Sequence, residues 1–166
     1  MALKRPIDLK RCTIKIKDGG SNQITVKVGE GNLSFTEKRN VEYIRDRGVL
    51  SATRLGDEEP VDVSFDFTWE EITSISGDTT PTVKEALQKI GAASSWASSD
   101  ADTCAPYAVD IEVTHDPDCS GTSTSAQDEV VLISDFRWES MQFDYKAATI
   151  SVTGKANVTT VTATRV

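Results

Sequence analysis

Apolar and polar positions alternate along much of the chain, with the period of two that sends successive side chains to opposite faces of a strand. The cleanest case is Val61-Asp62-Val63-Ser64-Phe65-Asp66-Phe67-Thr68-Trp69, where five large apolar residues share one face and Asp62, Ser64, Asp66 and Thr68 share the other. Thr13 to Lys17 alternates as well, Asp18-Gly19-Gly20 turns the chain, and Ile24, Val26 and Val28 alternate again, which predicts a hairpin. Gly29-Glu30-Gly31-Asn32 punctuates before Leu33-Ser34-Phe35. An extended stretch runs on through Val41, Tyr43 and Arg45, breaks at Asp46-Arg47-Gly48, resumes at Val49 and reaches the acidic turn Gly56-Asp57-Glu58-Glu59-Pro60.

One segment has helical spacing instead. Thr80 as cap, Pro81 at the first helical position, the apolar set Val83, Ala86, Leu87 and Ile90, and Gly91 as a stop predict a helix over residues 81–91. Residues 92–106, rich in Ala, Ser and Asp, read as a loop. Tyr107, Val109, Ile111 and Val113 form the next alternating strand, with Asp110 and Glu112 on its other face. After a polar loop from Asp116 to Asp128, a C-terminal β region starts at Val130 to Ile133 and passes through Phe136-Arg137-Trp138 to Phe143. Ile150 and Val152 mark a further strand, Gly154-Lys155 a kink, and Val158 and Val161 the last strand. There is no internal repeat and no linker, so residues 1–166 form a single domain. The fold class expected is mainly β, an antiparallel β-sandwich or partial barrel with one α-helix.

Charge changes the picture in one respect. The chain has 166 residues and a net charge of −8, which argues against a nucleic-acid binder that needs a basic face. The charge is split: residues 1–54 carry net +6 and residues 55–166 net −14. Opposed surfaces of this kind favour head-to-tail contact between like copies. The first twelve residues lack the apolar core of a signal peptide, and no run is long enough to cross a bilayer, so the expectation is a protein folded in a cytosol without a membrane partner. Cys12, Cys104 and Cys119 are then expected as free thiols, with a Cys104–Cys119 disulfide as the alternative.

Catalytic chemistry finds little support. His115 is the chain's one imidazole, near Asp116, Asp118 and Cys119 with Cys104 upstream, but the paired spacing of a zinc site is missing. No nucleophile elbow, zinc-protease helix or phosphate loop is present. Asp62 with Asp66, or Asp110 with Glu112, make an acidic stripe on a strand rather than a matched acid and base. Trp96, in its Ser/Ala loop, is either an exposed aromatic anchor or folds back onto the rim. The expectation is no enzyme, no metal and no cofactor.

The acidic turn and strand Gly56 to Phe65, the stretch Asp135-Phe136-Arg137-Trp138-Glu139-Ser140, and Ala148 to Asn157 together resemble the tail tube proteins of long-tailed bacteriophages. The order of elements is similar too: hairpin, long extended arm, strand, one helix, more strands. The resemblance implies a virion tail protein, assembled in the host cytoplasm, whose hexameric rings stack head to tail into a hollow tube that passes double-stranded DNA without specific binding. It also implies a tail terminator, a tape measure and tail tip proteins as partners. Stacking regions carried onto this chain are the N-terminal arm 1–12, the extended arm of about residues 39–60, and the end near Arg165. Candidates for the lumen wall are Asp62, Ser64, Asp66, Asp110 and Glu112, because carboxylates repel phosphate and keep the cargo moving. Candidates for contacts between rings are Arg39, Arg45, Arg47 and Arg54 against Asp57, Glu58 and Glu59. The alternative is a carbohydrate-binding or adhesive β-sandwich, which requires aromatics exposed in a groove.

Overall fold

Strand β6 (Val61–Thr68) organises the molecule. Its Val61, Val63, Phe65 and Phe67 are buried while the residues between them face out, as alternation requires. In the computed structural model, which describes residues 9–29, 31–70, 73–116 and 128–166, ten strands and one α-helix are present among those residues. Before β6 come β1 (Cys12–Lys17), β2 (Gln23–Val26), β3 (Leu33–Thr36), β4 (Val41–Asp46) and β5 (Val49–Leu55). After it come the helix α1 (Val83–Gln88) and strands β7 (Val109–His115), β8 (Glu129–Asp144), β9 (Thr149–Ala156) and β10 (Thr162–Arg165).

Eight of the strands form one antiparallel sheet in the order β2-β1-β7-β8-β9-β6-β3, with β10 also on β8; β4 and β5 pair only with each other. The sixteen-residue β8 belongs to both halves of this sheet. Its first half pairs with β7 and β10, its second half with β9. At the change-over Asp135 adopts a left-handed φ of 55°, an irregularity that bends the strand. The sheet folds over there into two layers whose inner faces share one core, joining Ile14, Ile16, Ile111 and Ile133 to Phe65, Phe136, Ile150 and Val152. At the far rim Thr68 N–H donates to the carbonyl of Lys27 (2.8 Å).

The helix and the loop after it cover the remaining side of the core. The helix is shorter than the pattern predicts and begins later. Thr82 is the cap, its hydroxyl accepting from Glu85 N–H, while the Glu85 carboxylate accepts from Thr82 N–H in return. Pro81 therefore precedes the cap, and the helix ends at Lys89 in the left-handed conformation. Trp96 is buried at 4% exposure: the 3-10 turn Gly91–Ala93 folds the loop inward, and the indole joins Ala93 in the core. The rim reading of Trp96 holds, and the exposed-anchor reading is corrected.

Two boundaries in the C-terminal region also differ. Strand β9 runs unbroken through Gly154-Lys155, because Gly154 serves a close approach rather than a kink. A Cβ placed there would lie 2.1 Å from the Arg137 carbonyl oxygen, where β8 bulges between Trp138 and Ser140. The last strand begins at Thr162, beyond Val158 and Val161, which pack on the core from outside any strand.

Candidate functional site

The second half of β8 with β9, β6 and β3 makes a four-stranded layer whose inner face is core and whose outer face is polar. Register places side chains from distant parts of the sequence in rows across that outer face. One row is Ser140–Thr153–Ser64–Ser34, all hydroxyls, with Ser140 and Thr153 hydrogen-bonded at 2.5 Å. The row above is Arg137–Lys155–Asp62–Thr36, and the row below is Gln142–Ser151–Asp66. Asp62 is ion-paired with Lys38, whose ammonium beside it holds the Asp62 carboxyl below the usual carboxylate range. With Lys155 beside it in its row, Asp62 is a compensated charge. The face as a whole is hydroxyl-rich and carries more carboxylates than free cations, since Glu139 lines it beside Asp62 and Ser64, Asp144 lies on it opposite Thr149, and Arg137 is paired with Asp100.

Of the five lumen-wall candidates, the structure brings Asp62, Ser64 and Asp66 together here and puts the other two elsewhere. Glu112 lies in the other layer, paired with Lys17. Asp110 lies half-buried beside the bend of β8, accepting the Asp135 N–H at 3.0 Å, while Ser99 Oγ donates to Asp135 at 2.9 Å. Burial pushes the Asp110 carboxyl up, against the hydrogen bonds that favour its charge. Ser34, Ser140, Thr153 and Lys155 were not singled out by the sequence. Their rows arise from four strands with no local signal in common.

Residues 39–60 contain the hairpin β4–β5, which projects from the Thr36/Val61 end of the layer. Its strands join through Arg47-Gly48, both at positive φ (50° and 84°), the backbone of a tight two-residue turn. Every residue of β5 and nearly all of β4 are exposed, including Tyr43, Val49, Leu50 and Leu55. Arg54 pairs across the hairpin with Glu42, and Arg45 and Arg47 sit at the tip. Arg39 stands on the outgoing stalk, and Asp57, Glu58 and Glu59 on the returning one, where Glu58 and Glu59 lie beside Asn157 to Thr160. The stalk is fastened by Gly56 N–H to Asn40 O (3.0 Å) and by Val161 N–H to the Glu37 carboxylate (2.7 Å).

At the opposite end of the layer, Trp69 packs between Phe143 and Tyr145, with ring centroids 5.4 and 4.4 Å away. Tyr145 is 84% exposed. The four-stranded layer also has two open edges among the described residues: β3 ends the strand order, and β8 beyond Phe136 pairs only with β9.

His115 is buried at the end of β7, opposite Cys12. Among the described residues no group of His, Cys, Asp and Glu is arranged to hold a metal ion. Asp118 and Cys119, and with them the Cys104–Cys119 alternative, lie outside the described residues, as do residues 1–8 of the N-terminal arm. No helix among the described residues is long and apolar enough to cross a membrane.

Solved structures share this architecture. The chain is similar to the tube-terminating cap of the anti-feeding prophage (TM-score 0.58, 14% identity, covering 100% of this chain and 95% of that one). It is similar to the PVC sheath/tube terminator of an extracellular contractile injection system in the extended state (0.55, 13%, 98% and 99%). A chain of the PVC sheath-tube complex in the same state is also similar (0.57, 13%, 99% and 95%). No family model matches the chain, and no curated protein matches it in sequence. At these identities the likeness is one of fold: this chain shares its architecture with a tube-terminating cap, a sheath/tube terminator and a chain of a sheath-tube complex.

Proposed function

We propose that the chain is a non-enzymatic structural subunit of a tail-like tube, with copies joined side by side into hexameric rings and the polar face of the four-stranded layer turned toward the channel. The observation that carries this reading is the layer itself, polar outside, apolar inside and open at both edges. An open edge is a hazard for a monomer and a joining device in a ring. Its four strands alternate in direction, so the two outer strands run oppositely. Copies set edge to edge therefore continue an antiparallel barrel without a mismatch.

The dimensions suit a conduit. Twenty-four strands about 4.8 Å apart and tilted about 40° close at a backbone radius of about 24 Å. Short side chains such as Ser and Thr leave that bore wide enough for a duplex. A wall with more carboxylates than free cations offers no basic track, so it gains nothing from releasing phosphate counterions and does not hold DNA. The arm projects from one end of the layer and the Trp69–Tyr145 cluster marks the other, which suits rings that stack head to tail by unlike surfaces.

Electron microscopy of the purified chain at rising concentration tests this. Hollow tubes of uniform width are expected. Single rings that never stack assign the chain to a terminating position instead, a reading favoured by its likeness to a cap and a terminator. A strict monomer that binds glycans overturns both.

A further inference from the structure

Four strands begin or end on one row of the other layer. β1 starts at Cys12, β7 ends at His115, β8 starts at Glu129 and β10 ends at Arg165. Register sets the four side by side as Cys12–His115–Glu129–Arg165. A thiol, an imidazole, a carboxylate and a guanidinium from four separate stretches of sequence therefore share one rim. Direct partners across a ladder point to the same face. Here that face is the inner one, because the next row on it is Val26–Ile14–Val113–Val131–Ala163, with Ile14 and Val26 in the core.

The first two members of the row are close. Asp116 N–H donates to the Arg11 carbonyl (3.3 Å), which makes Arg11–Asp116 a hydrogen-bonded pair. Cys12–His115 is then the alternate kind, with Cα atoms about 4.5 Å apart and side chains nearest each other. On its other side His115 faces Glu129, whose carboxylate lies 3.6 Å from the Arg165 guanidinium. His115 is buried, whereas Cys12 and Glu129 are partly exposed. The imidazole is sheltered and the thiol is within reach of solvent.

We propose that Cys12 is a thiol-exchange site: His115 takes the thiol proton, Glu129 steadies the imidazolium, and the thiolate forms a mixed disulfide with a small-molecule disulfide. The Cys12 proton passes to a ring nitrogen of His115, and Sγ attacks one sulfur of the disulfide. The S–S bond breaks, and the departing thiolate takes the proton back from the imidazolium. A thiolate, not a thiol, is the nucleophile in such exchange, and an adjacent imidazolium favours it. The apolar row behind lowers the local dielectric and strengthens the pairing. Among the described residues, the titratable groups that the ladder sets against the imidazole are Cys12 from β1 and Glu129 from β8, with Arg165 of β10 beyond. The product is a modified subunit, one equivalent per chain, and it forms whether or not copies assemble.

Two full-length variants isolate the thiols to be compared. Cys104→Ser with Cys119→Ser keeps Cys12, and Cys12→Ser with Cys119→Ser keeps Cys104, which is the more exposed of the two. Each is treated with oxidised glutathione, and the mixed disulfide is followed by mass spectrometry at pH 6 and pH 9. Dividing each rate at pH 6 by the same chain's rate at pH 9 removes differences in access. That ratio is expected to be about tenfold or more higher for Cys12 than for Cys104, which ionises as an ordinary thiol of an exposed loop. In the chain that keeps Cys12, His115→Gln is expected to bring the ratio down to that of Cys104, and Glu129→Gln to move it part of the way. Equal ratios for the two thiols, or no reaction at Cys12 at either pH, overturn the site whether or not the His115 variant folds. A raised ratio that survives His115→Gln at an unchanged melting temperature also overturns it, because the imidazole is then not what makes the thiolate.

Discussion

The four-stranded layer and the arm are built from the same materials with opposite results. Both are antiparallel, and both draw on Val, Leu and Ile. In β6 every second residue is buried, and its apolar side meets the other layer. In β5 every residue is exposed, and Tyr43 on its partner strand, like Leu50 and Leu55, is more than 60% exposed. An isolated two-stranded hairpin is marginal in water. Alternation therefore specifies a strand without specifying where its cover comes from. The layer finds its cover within the chain, whereas the arm is left uncovered by the described residues.

The sharpest way to break this contrast is to truncate one residue in each region. Phe65 is fully buried and packs edge-on against Phe136 at 5.9 Å. Phe65→Ala is expected to cost about 3–5 kcal/mol in denaturant unfolding. Leu50→Ala, on the exposed arm, is expected to stay within about 0.5 kcal/mol of wild type as a monomer and yet to reduce stacked assemblies by electron microscopy. A large loss of monomer stability from Leu50→Ala would show that the arm is covered by its own chain.

Next in size is Gly154→Ala. The added methyl group meets the Arg137 carbonyl oxygen and the Trp138 Cα, both backbone atoms, so β8 and β9 must part at the bulge. A loss of about 1–3 kcal/mol is expected, visible as a lower melting temperature. Because Gly154 lies between Val63 and Trp138, the same change should also disturb the open edge. Unchanged stability would mean that the bulge relaxes freely.

What could be read from the sequence follows the same division. β6 and β7 are legible because their apolar sides are buried by their own chain, so the period of two survives intact. The helix is legible as a helix, but its start is not: Thr80-Pro81 competes with Thr82, and the capping partner of Thr82, Glu85, is a signal of its own. Trp96 sits among Ser and Ala, and only the 3-10 turn at Gly91–Ala93 brings it inside. Gly154 reads locally as a break because its reason is a strand ten or more residues away. The hydroxyl row collects Ser34, Ser64, Ser140 and Thr153, and no local window contains more than two of them. Of the candidate residues, Asp62, Ser64 and Asp66 share a face because one strand holds all three, whereas separating Asp110 from them required knowing the bend in β8.

The cover over the core has its own lock. The Glu85 carboxylate is buried and accepts from Ser74 N–H and Oγ and from Thr82 N–H. Burial pushes its carboxyl up, but these hydrogen bonds and one from the Ala92 main chain outweigh it and hold it below the usual range. A depressed carboxyl stabilises the fold above its unfolded pKa, and that contribution is lost as pH falls through the folded value. Glu85→Gln is expected to cost about 1.5–3 kcal/mol at neutral pH, with the gap to wild type closing below about pH 4. Trp96 fluorescence reports it. A gap that is the same at pH 3 and pH 7 would show that the charge is not what holds the segment.

The smallest effect is expected at Asp110, where the sign reverses. Burial raises its carboxyl, so the folded chain holds the proton more tightly than the unfolded one, and stability declines as pH rises through that window. The facing groups are the Asp135 N–H and carboxylate, the Ser99 hydroxyl and, farther off, the Lys17 ammonium. Asp110→Asn keeps an oxygen for the Asp135 N–H and removes the charge. It should therefore raise the melting temperature at pH 7 by about 1–3 °C and have no effect at pH 3, where wild type is already protonated. A loss at pH 7 would mean that the ionised carboxylate is needed at the bend, making the fold-over of β8 a charged joint rather than a packed one. A gain confined to neutral pH would instead place Asp110 with the covered residues of the fold, on the same side of the contrast as Phe65 and away from the polar face of the layer.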